Sequence, residues 1–111
     1  PRALILRNKP IKFIASIIFN IKLMLTSDSG LGHIASAFNI PTQTIFGPGD
    51  IKVYSPYGAR NIIIETEKKL SCRPCISSFG YINCEHFECL NSISTKKVLD
   101  SMNEAIELLT N

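Results

Sequence analysis

Residues Thr26–Ala37 read TSDSGLGHIASA, and the character of the chain changes abruptly at Thr26-Ser27-Asp28-Ser29-Gly30. Upstream, Ile21–Thr26 (IKLMLT) is the pattern of a buried strand. Downstream, Leu31, Ile34, Ala35 and Phe38 recur at helical spacing. A strand that passes through small polar residues and a glycine straight into a helix is a corner of a parallel α/β sheet. Such sheets take ligands at the carboxyl ends of their strands.

The pattern repeats toward the C-terminus. Asn39 ends the first helix, Pro41 forbids its continuation, and Thr42–Phe46 (TQTIF) predicts the next strand. Gly47-Pro48-Gly49-Asp50 is a turn cluster, Asp50–Tyr57 holds one short helix, and Asn61–Glu65 (NIIIE) is another strand. Toward the N-terminus, Ala3–Leu6 predicts a strand, and Pro10 suits the first turn of a helix. Ile11, Ile14, Ala15, Ile18 and Phe19 form its stripe, widened by Phe13 and Ile17. A helix this apolar is expected to be buried and covered on more than one side. Residues 66–93 show no clear period and contain all four cysteines, so they are read as a long loop. Ser94 then looks like an N-cap, and Val98, Leu99, Met102, Ala105, Ile106 and Leu109 predict a closing amphipathic helix over 94–109. The expected class is α/β: a parallel, Rossmann-like sheet with flanking helices, in one domain spanning 1–111.

With 111 residues, 45% hydrophobic and 19% charged, the chain can pack one core but not two, and disorder is excluded. The net charge is +3. Residues 1–50 carry five Lys/Arg against two Asp/Glu, and residues 51–111 seven of each. Lys68-Lys69 and Lys96-Lys97 are isolated pairs, so a nucleic-acid partner is not expected. Arg2, Arg7, Lys9 and Lys12 before Phe13–Phe19 imitate a signal peptide, but no A-x-A-like cleavage site follows. Asn20 and Lys22 interrupt the run well short of the ~20 apolar residues of a membrane span. The start at Pro1, without an initiator Met, suggests a fragment of a longer chain.

The Thr26–Ala37 corner is also the place for chemistry. The first turn of a helix has unpaired N–H groups and a partial positive charge, which suit a phosphate. Gly30 and Gly32 let a ligand approach the backbone, and the Ser27 and Ser29 hydroxyls can donate to phosphate oxygens. His33, one turn in, can add a third donor. The structural alternative is that Asp28 or Ser29 merely caps the helix while His33 packs. The stretch is neither a Walker A loop nor G-x-G-x-x-G.

The run TSDSGLGHIASAFNIPTQTIFGPGDIKVYSPYG resembles the C-terminal domain of the ADP-heptose:lipopolysaccharide heptosyltransferase family, glycosyltransferase family 9. Asp28, Ser29, Gly30, His33, Ala35 and Ala37 fit that family's [ST]-N-D-[ST]-G-x-x-H-x-A-[AG]-A pattern. Phe46, Gly47, Pro48, Tyr54, Pro56 and Gly58 fit the following strand and turn, and the similarity runs on through Cys72-Arg73-Pro74-Cys75, Cys84 and Cys89 to Ile93-Ser94. Ser27 stands where Asn is common, Gly49 where Thr or Ser is common, Tyr54 where Trp is frequent, and Gly32 replaces a larger residue.

The resemblance implies part of the C-terminal half of a GT-B type two-domain glycosyltransferase. Its donor is a nucleotide-diphosphate sugar, expected to be ADP-heptose, for transfer to lipopolysaccharide core or a related glycan. Donor-binding residues carried over are Asp28 near the sugar, Ser29 and Gly30 on the diphosphate, Leu31 next to them, and His33 near the same pocket. No catalytic residue is expected here, because the family's base belongs to an N-terminal acceptor domain that these residues do not include. The chain alone is therefore expected to be inactive. No cofactor is required for catalysis, and the location implied is cytoplasmic, with peripheral association at the inner membrane.

Cys72-x2-Cys75-x8-Cys84-x4-Cys89 supplies four thiols for a tetrahedral structural zinc site, with His86 as a substitute ligand. Reduced cysteines packed in a lid-like loop, or a disulfide or redox use, are the other readings. Two further functions compete with the glycosyltransferase: a small zinc-ribbon-like module for RNA or protein, and an inactive remnant of the family.

Overall fold

The computed structural model describes residues 2–77, 80–81 and 84–110. Three short strands, β1 (Met24–Ser27), β2 (Thr42–Ile45) and β3 (Asn61–Ile64), form a parallel sheet in the order β1-β2-β3. The register sets Ser27 opposite Ile45 and Ile45 opposite Ile64. The residues that leave the three strands, Asp28, Phe46 and Glu65, therefore emerge side by side at one edge. The crossovers are α2 (Gly30–Ala37) between β1 and β2, and α3 (Ile51–Tyr54) between β2 and β3. Helix α1 (Ile11–Asn20) precedes the sheet and α5 (Thr95–Thr110) closes the chain.

Local signals explain most of the boundaries. Pro10 sits at the N-cap of α1, one position before the helix and not within its first turn. Helix α2 ends as its sequence demands. Asn39 takes a left-handed conformation with φ +58°, its N–H donates to Ser36 O, and the Ile40 N–H donates to Ala35 O. That pair of bonds is a Schellman stop. Asp50 caps α3 by accepting from the Lys52 N–H at 3.0 Å, and Ser94 caps α5 by accepting from the Lys97 N–H at 3.0 Å. At the other end of α5, Arg60 donates to Leu108 O at 3.1 Å, placing a cation where the helix dipole favours it.

β2 is central and buried although three of its four residues are polar: Thr42, Gln43 and Thr44 are all buried. Successive side chains of a strand point to opposite faces. Gln43 turns toward α5, donating to Val98 O and to Ser101 Oγ. Thr44 turns toward Gly32 of α2. The two helices therefore cover opposite faces of the sheet, and Phe46, Ile64, Ala35 and Ala105 complete the core.

Three expectations need correction. Ala3–Leu6 is not a strand, and Leu4 and Ile5 are exposed. A strand exists only by pairing, and this run pairs with no described residue. Among the described residues, helix α1 is covered on one side only. It packs on α2 through an edge-to-face contact of Phe19 with Phe38, whose ring centroids lie 5.1 Å apart. Only Ile18 is buried, and Ile11, Phe13, Ile17 and Phe19 remain exposed. Finally, residues 66–93 are not wholly irregular: β4 (Ile76–Ser77) pairs antiparallel with β5 (Gly80–Tyr81), and α4 (Glu88–Asn91) follows. These pieces are too short to show a period.

Candidate functional site

The corner after β1 lies at the carboxyl edge of the sheet. Ser29 occupies the N-cap position of α2 with extended backbone, yet its side chain makes no capping hydrogen bond. Its hydroxyl instead lies 3.2 Å from Thr26 Oγ1. Asp28 does not cap the helix either: its carboxylate leans over the next turn, where a Cβ on Gly49 would collide with it. The N–H groups of the first turn are thus left without a side-chain acceptor, as an anion site requires. Gly30 is exposed, and a Cβ built there would meet nothing within 4 Å. Gly32 is buried, and its Cβ would press on Thr26 Cγ2 at 3.0 Å. The two glycines therefore differ in kind. Gly32 lets the helix sit on the sheet, whereas Gly30 keeps open space in front of it.

Burial raises the Asp28 carboxyl above its ordinary pKa, and the nearby His33 opposes that rise. His33 is exposed and borders a shallow depression of about 340 Å³ with Ser36, Tyr57 and Gly58. The wall of that depression is held by Asn61, whose Nδ2 donates to Pro56 O and Tyr57 O at 3.0 and 2.8 Å. Leu31 is half-buried behind the turn. The structure brings Asp28, Ser29, Gly30, Leu31 and His33 into one corner. Thr44 Oγ1 is buried beneath α2 with no partner, close to Gly32.

A neighbouring depression of about 360 Å³ was not legible in the sequence. It opens at the carboxyl ends of β2 and β3, between Gly49, Asp50, Lys52, Glu65, Arg73 and Pro74. Arg73 is largely buried; its Nε donates to Gly47 O at 2.9 Å, and its Nη1 lies 3.5 Å from Glu65 Oε1. A larger cavity, about 660 Å³, lies between β3 and α5. Its cations are spoken for: Lys68, Lys96 and Lys97 pair with Glu88, Asp100 and Glu67. An anion there would have to displace existing partners.

The cysteines share one neighbourhood. The Cys75 N–H donates to Pro48 O at 3.1 Å, and Leu90 on α4 packs where a Gly47 side chain would be, so both halves of the loop rest on the Gly47-Pro48 turn. Cys89 is buried, which together with the nearby thiols pushes its pKa up. All four are free thiols. His86 Nδ1 accepts the Glu88 N–H at 3.1 Å. Among the described residues no group of three or more His, Cys, Asp or Glu side chains is placed to hold a metal.

The family model for glycosyltransferase family 9 (heptosyltransferase) matches residues 8–83, from the start of α1 past the corner and into the cysteine loop. The chain belongs to this family. Among curated relatives, it is 29% identical over 92 residues to lipooligosaccharide heptosyltransferase 2 of Campylobacter jejuni serotype O:6, covering 83% of this chain and 28% of the relative. The corresponding protein of serotype O:2 is 29% identical over 101 residues, 91% of this chain and 30% of the relative. Lipopolysaccharide heptosyltransferase 1 of Pseudomonas aeruginosa is 29% identical over 62 residues, 56% and 17% respectively. The chain thus spans less than a third of the length of the curated relatives it matches. No solved structure matches significantly. Family membership and the parallel α/β sheet agree with the fold read from the strand–turn–helix corner.

Proposed function

We propose that this chain is the donor-binding part of a heptosyltransferase, holding the diphosphate of a nucleotide-diphosphate sugar on the first turn of α2. The observation that carries the reading is the uncapped N-terminus of that helix at the carboxyl edge of β1, with Gly30 open in front of it. When the glycosidic bond to the donor breaks, negative charge grows on the departing nucleoside diphosphate. Fixed N–H donors and the Ser29 hydroxyl stabilise that charge without reorganising. Asp28, whose carboxyl is held above its ordinary pKa by partial burial, is assigned to the sugar end of the donor. The donor proposed is ADP-heptose, and the acceptor is lipopolysaccharide core or a related glycan. The base that activates the acceptor lies in an N-terminal domain outside these residues, so the 111-residue chain does not turn over by itself. No helix among the described residues is long and apolar enough to cross a membrane. The proposed setting is the cytoplasmic face of the inner membrane, by peripheral association.

The test is calorimetric titration of the chain with ADP, alongside the Ser29→Ala variant. Loss of one hydroxyl donor to a charged group is expected to weaken binding about tenfold. Unchanged affinity in the variant, or no response to ADP by the parent chain, refutes the reading. Sugar transfer by the isolated chain would refute the assignment of the base elsewhere.

A further inference from the structure

The charge of the chain is divided, and its basic part coincides with an exposed apolar surface. Residues 2–22 carry five cations, Arg2, Arg7, Lys9, Lys12 and Lys22, and no Asp or Glu. Residues 23–111 carry seven Lys/Arg against nine Asp/Glu and are net acidic. All five N-terminal cations are exposed, and among the described residues none of them forms a salt bridge. The same stretch leaves Leu4, Ile5, Phe13 and Ile17 exposed.

Helix geometry brings the two kinds of side chain together. Ile18 is the buried residue of α1, with Ile14 and Ala15 half-buried beside it. Lys12, Phe13, Ser16, Ile17 and Asn20 share the opposite face, and all five are exposed. The Lys9 Nζ lies 5.7 Å from the centre of the Phe13 ring, so cation and ring also meet in space.

The apolar side chains of that face gain by leaving water, while the cations around them need water or anions. A second copy seated on the same face would set five cations against five. The headgroup layer of an anionic bilayer meets both conditions, with phosphates outside and hydrocarbon beneath. At ten residues α1 is too short to span a bilayer, and its place is in the interface.

We propose that the N-terminal segment and the outer face of α1 form a docking surface for an anionic phospholipid membrane. This rests on the peripheral membrane setting proposed above and names the residues that achieve it, independently of how the donor is held. α1 packs on α2, whose first turn carries the candidate site, and packed helices lie about 8–10 Å apart. Docking therefore holds that turn close to the membrane.

The experiment is co-sedimentation of the 111-residue chain with vesicles, either equimolar phosphatidylglycerol and phosphatidylcholine or phosphatidylcholine alone. The expected result is binding to the anionic vesicles at low salt, weakened at high salt and absent with phosphatidylcholine alone. Lys9→Ala combined with Lys12→Ala should weaken partitioning about 25-fold, roughly fivefold for each cation at the surface. Phe13→Ser combined with Ile17→Ser should weaken it about tenfold or more. All four side chains are exposed, so both double variants should keep the parent's circular dichroism and ADP response. No binding to anionic vesicles, or equal binding by the parent and both folded variants, overturns this surface and leaves peripheral association through other parts of the protein standing. A mass that doubles with concentration in light scattering, and stays monomeric in the Phe13→Ser, Ile17→Ser variant, assigns the face to a second copy and also overturns it. Vesicle binding without any ADP response refutes the donor reading alone.

Discussion

Replacing Gly30 and Gly32 one at a time separates ligand binding from folding, because the two glycines have opposite surroundings. A Cβ at Gly30 meets nothing within 4 Å, and its φ is not in the left-handed range. Gly30→Ala is therefore expected to leave stability unchanged or raise it by up to about 0.5–1 kcal/mol, the helical preference of Ala over Gly. Gly30→Val adds a branched side chain into the space a diphosphate would fill. If it removes one charge-assisted hydrogen bond, about 2 kcal/mol, ADP affinity falls roughly 30-fold. Gly32→Ala behaves in the reverse way. Its Cβ would stand 3.0 Å from Thr26 Cγ2, a buried β-branched side chain that must give by a few tenths of an ångström, and in ordinary contact with Pro56 Cγ at 3.6 Å. That overpacking costs about 1–3 kcal/mol and should lower the urea midpoint. The assay pairs urea denaturation with ADP titration of each folded variant. If Gly30→Val binds ADP as tightly as the parent, no phosphate sits on this turn. If Gly30→Ala unfolds the chain, the open space in front of α2 is not real.

Three further outcomes follow from individual side chains. Burial raises the Asp28 pKa above its ordinary value of 3.8, so its charge opposes folding above that raised pKa, and the penalty vanishes once pH falls below 3.8. Asp28→Asn should accordingly be more stable than the parent at neutral pH and equal to it near pH 3, by urea midpoints; a variant less stable at pH 7 would show that the carboxylate has a stabilising partner. Gln43 is fully buried and bonds Val98 O and Ser101 Oγ, so Gln43→Met should cost about 1–3 kcal/mol and speed amide exchange in Val98–Ser101; unaltered exchange there would detach Gln43 from α5. Iodoacetamide should alkylate exposed Cys72 first and buried Cys89 last; equal rates at the two would show that Cys89 is not covered.

The candidate corner was legible because its signals are local. Ser29-Gly30, the stripe Leu31–Phe38 and the stop at Asn39-Ile40-Pro41 each act within a few residues, and the turn adopts its shape from them. The same holds for Asp50 capping α3 and Ser94 capping α5. The depression at Gly49, Glu65 and Arg73 was not legible, since those residues are far apart in sequence and meet only through the register of β1, β2 and β3. Arg73 carried no signal of its own inside the Cys-x2-Cys spacing. Cysteine spacing was likewise compatible with a metal site, while the positions of the thiols depend on how both halves of the loop rest on Gly47-Pro48.

By itself the sequence determined the alternation of strands and helices, the parallel sheet and the polar turn at the end of β1, because periodicity, proline and capping residues act over one or two turns of chain. Tertiary structure alone decided that Ala3–Leu6 pairs with no described residue and that α1 leaves Ile11, Phe13 and Phe19 exposed among them. It also decided that Gln43 anchors α5 from the middle of the sheet. Hydrophobicity states that a surface is better covered; only the packing of distant segments settles whether anything covers it.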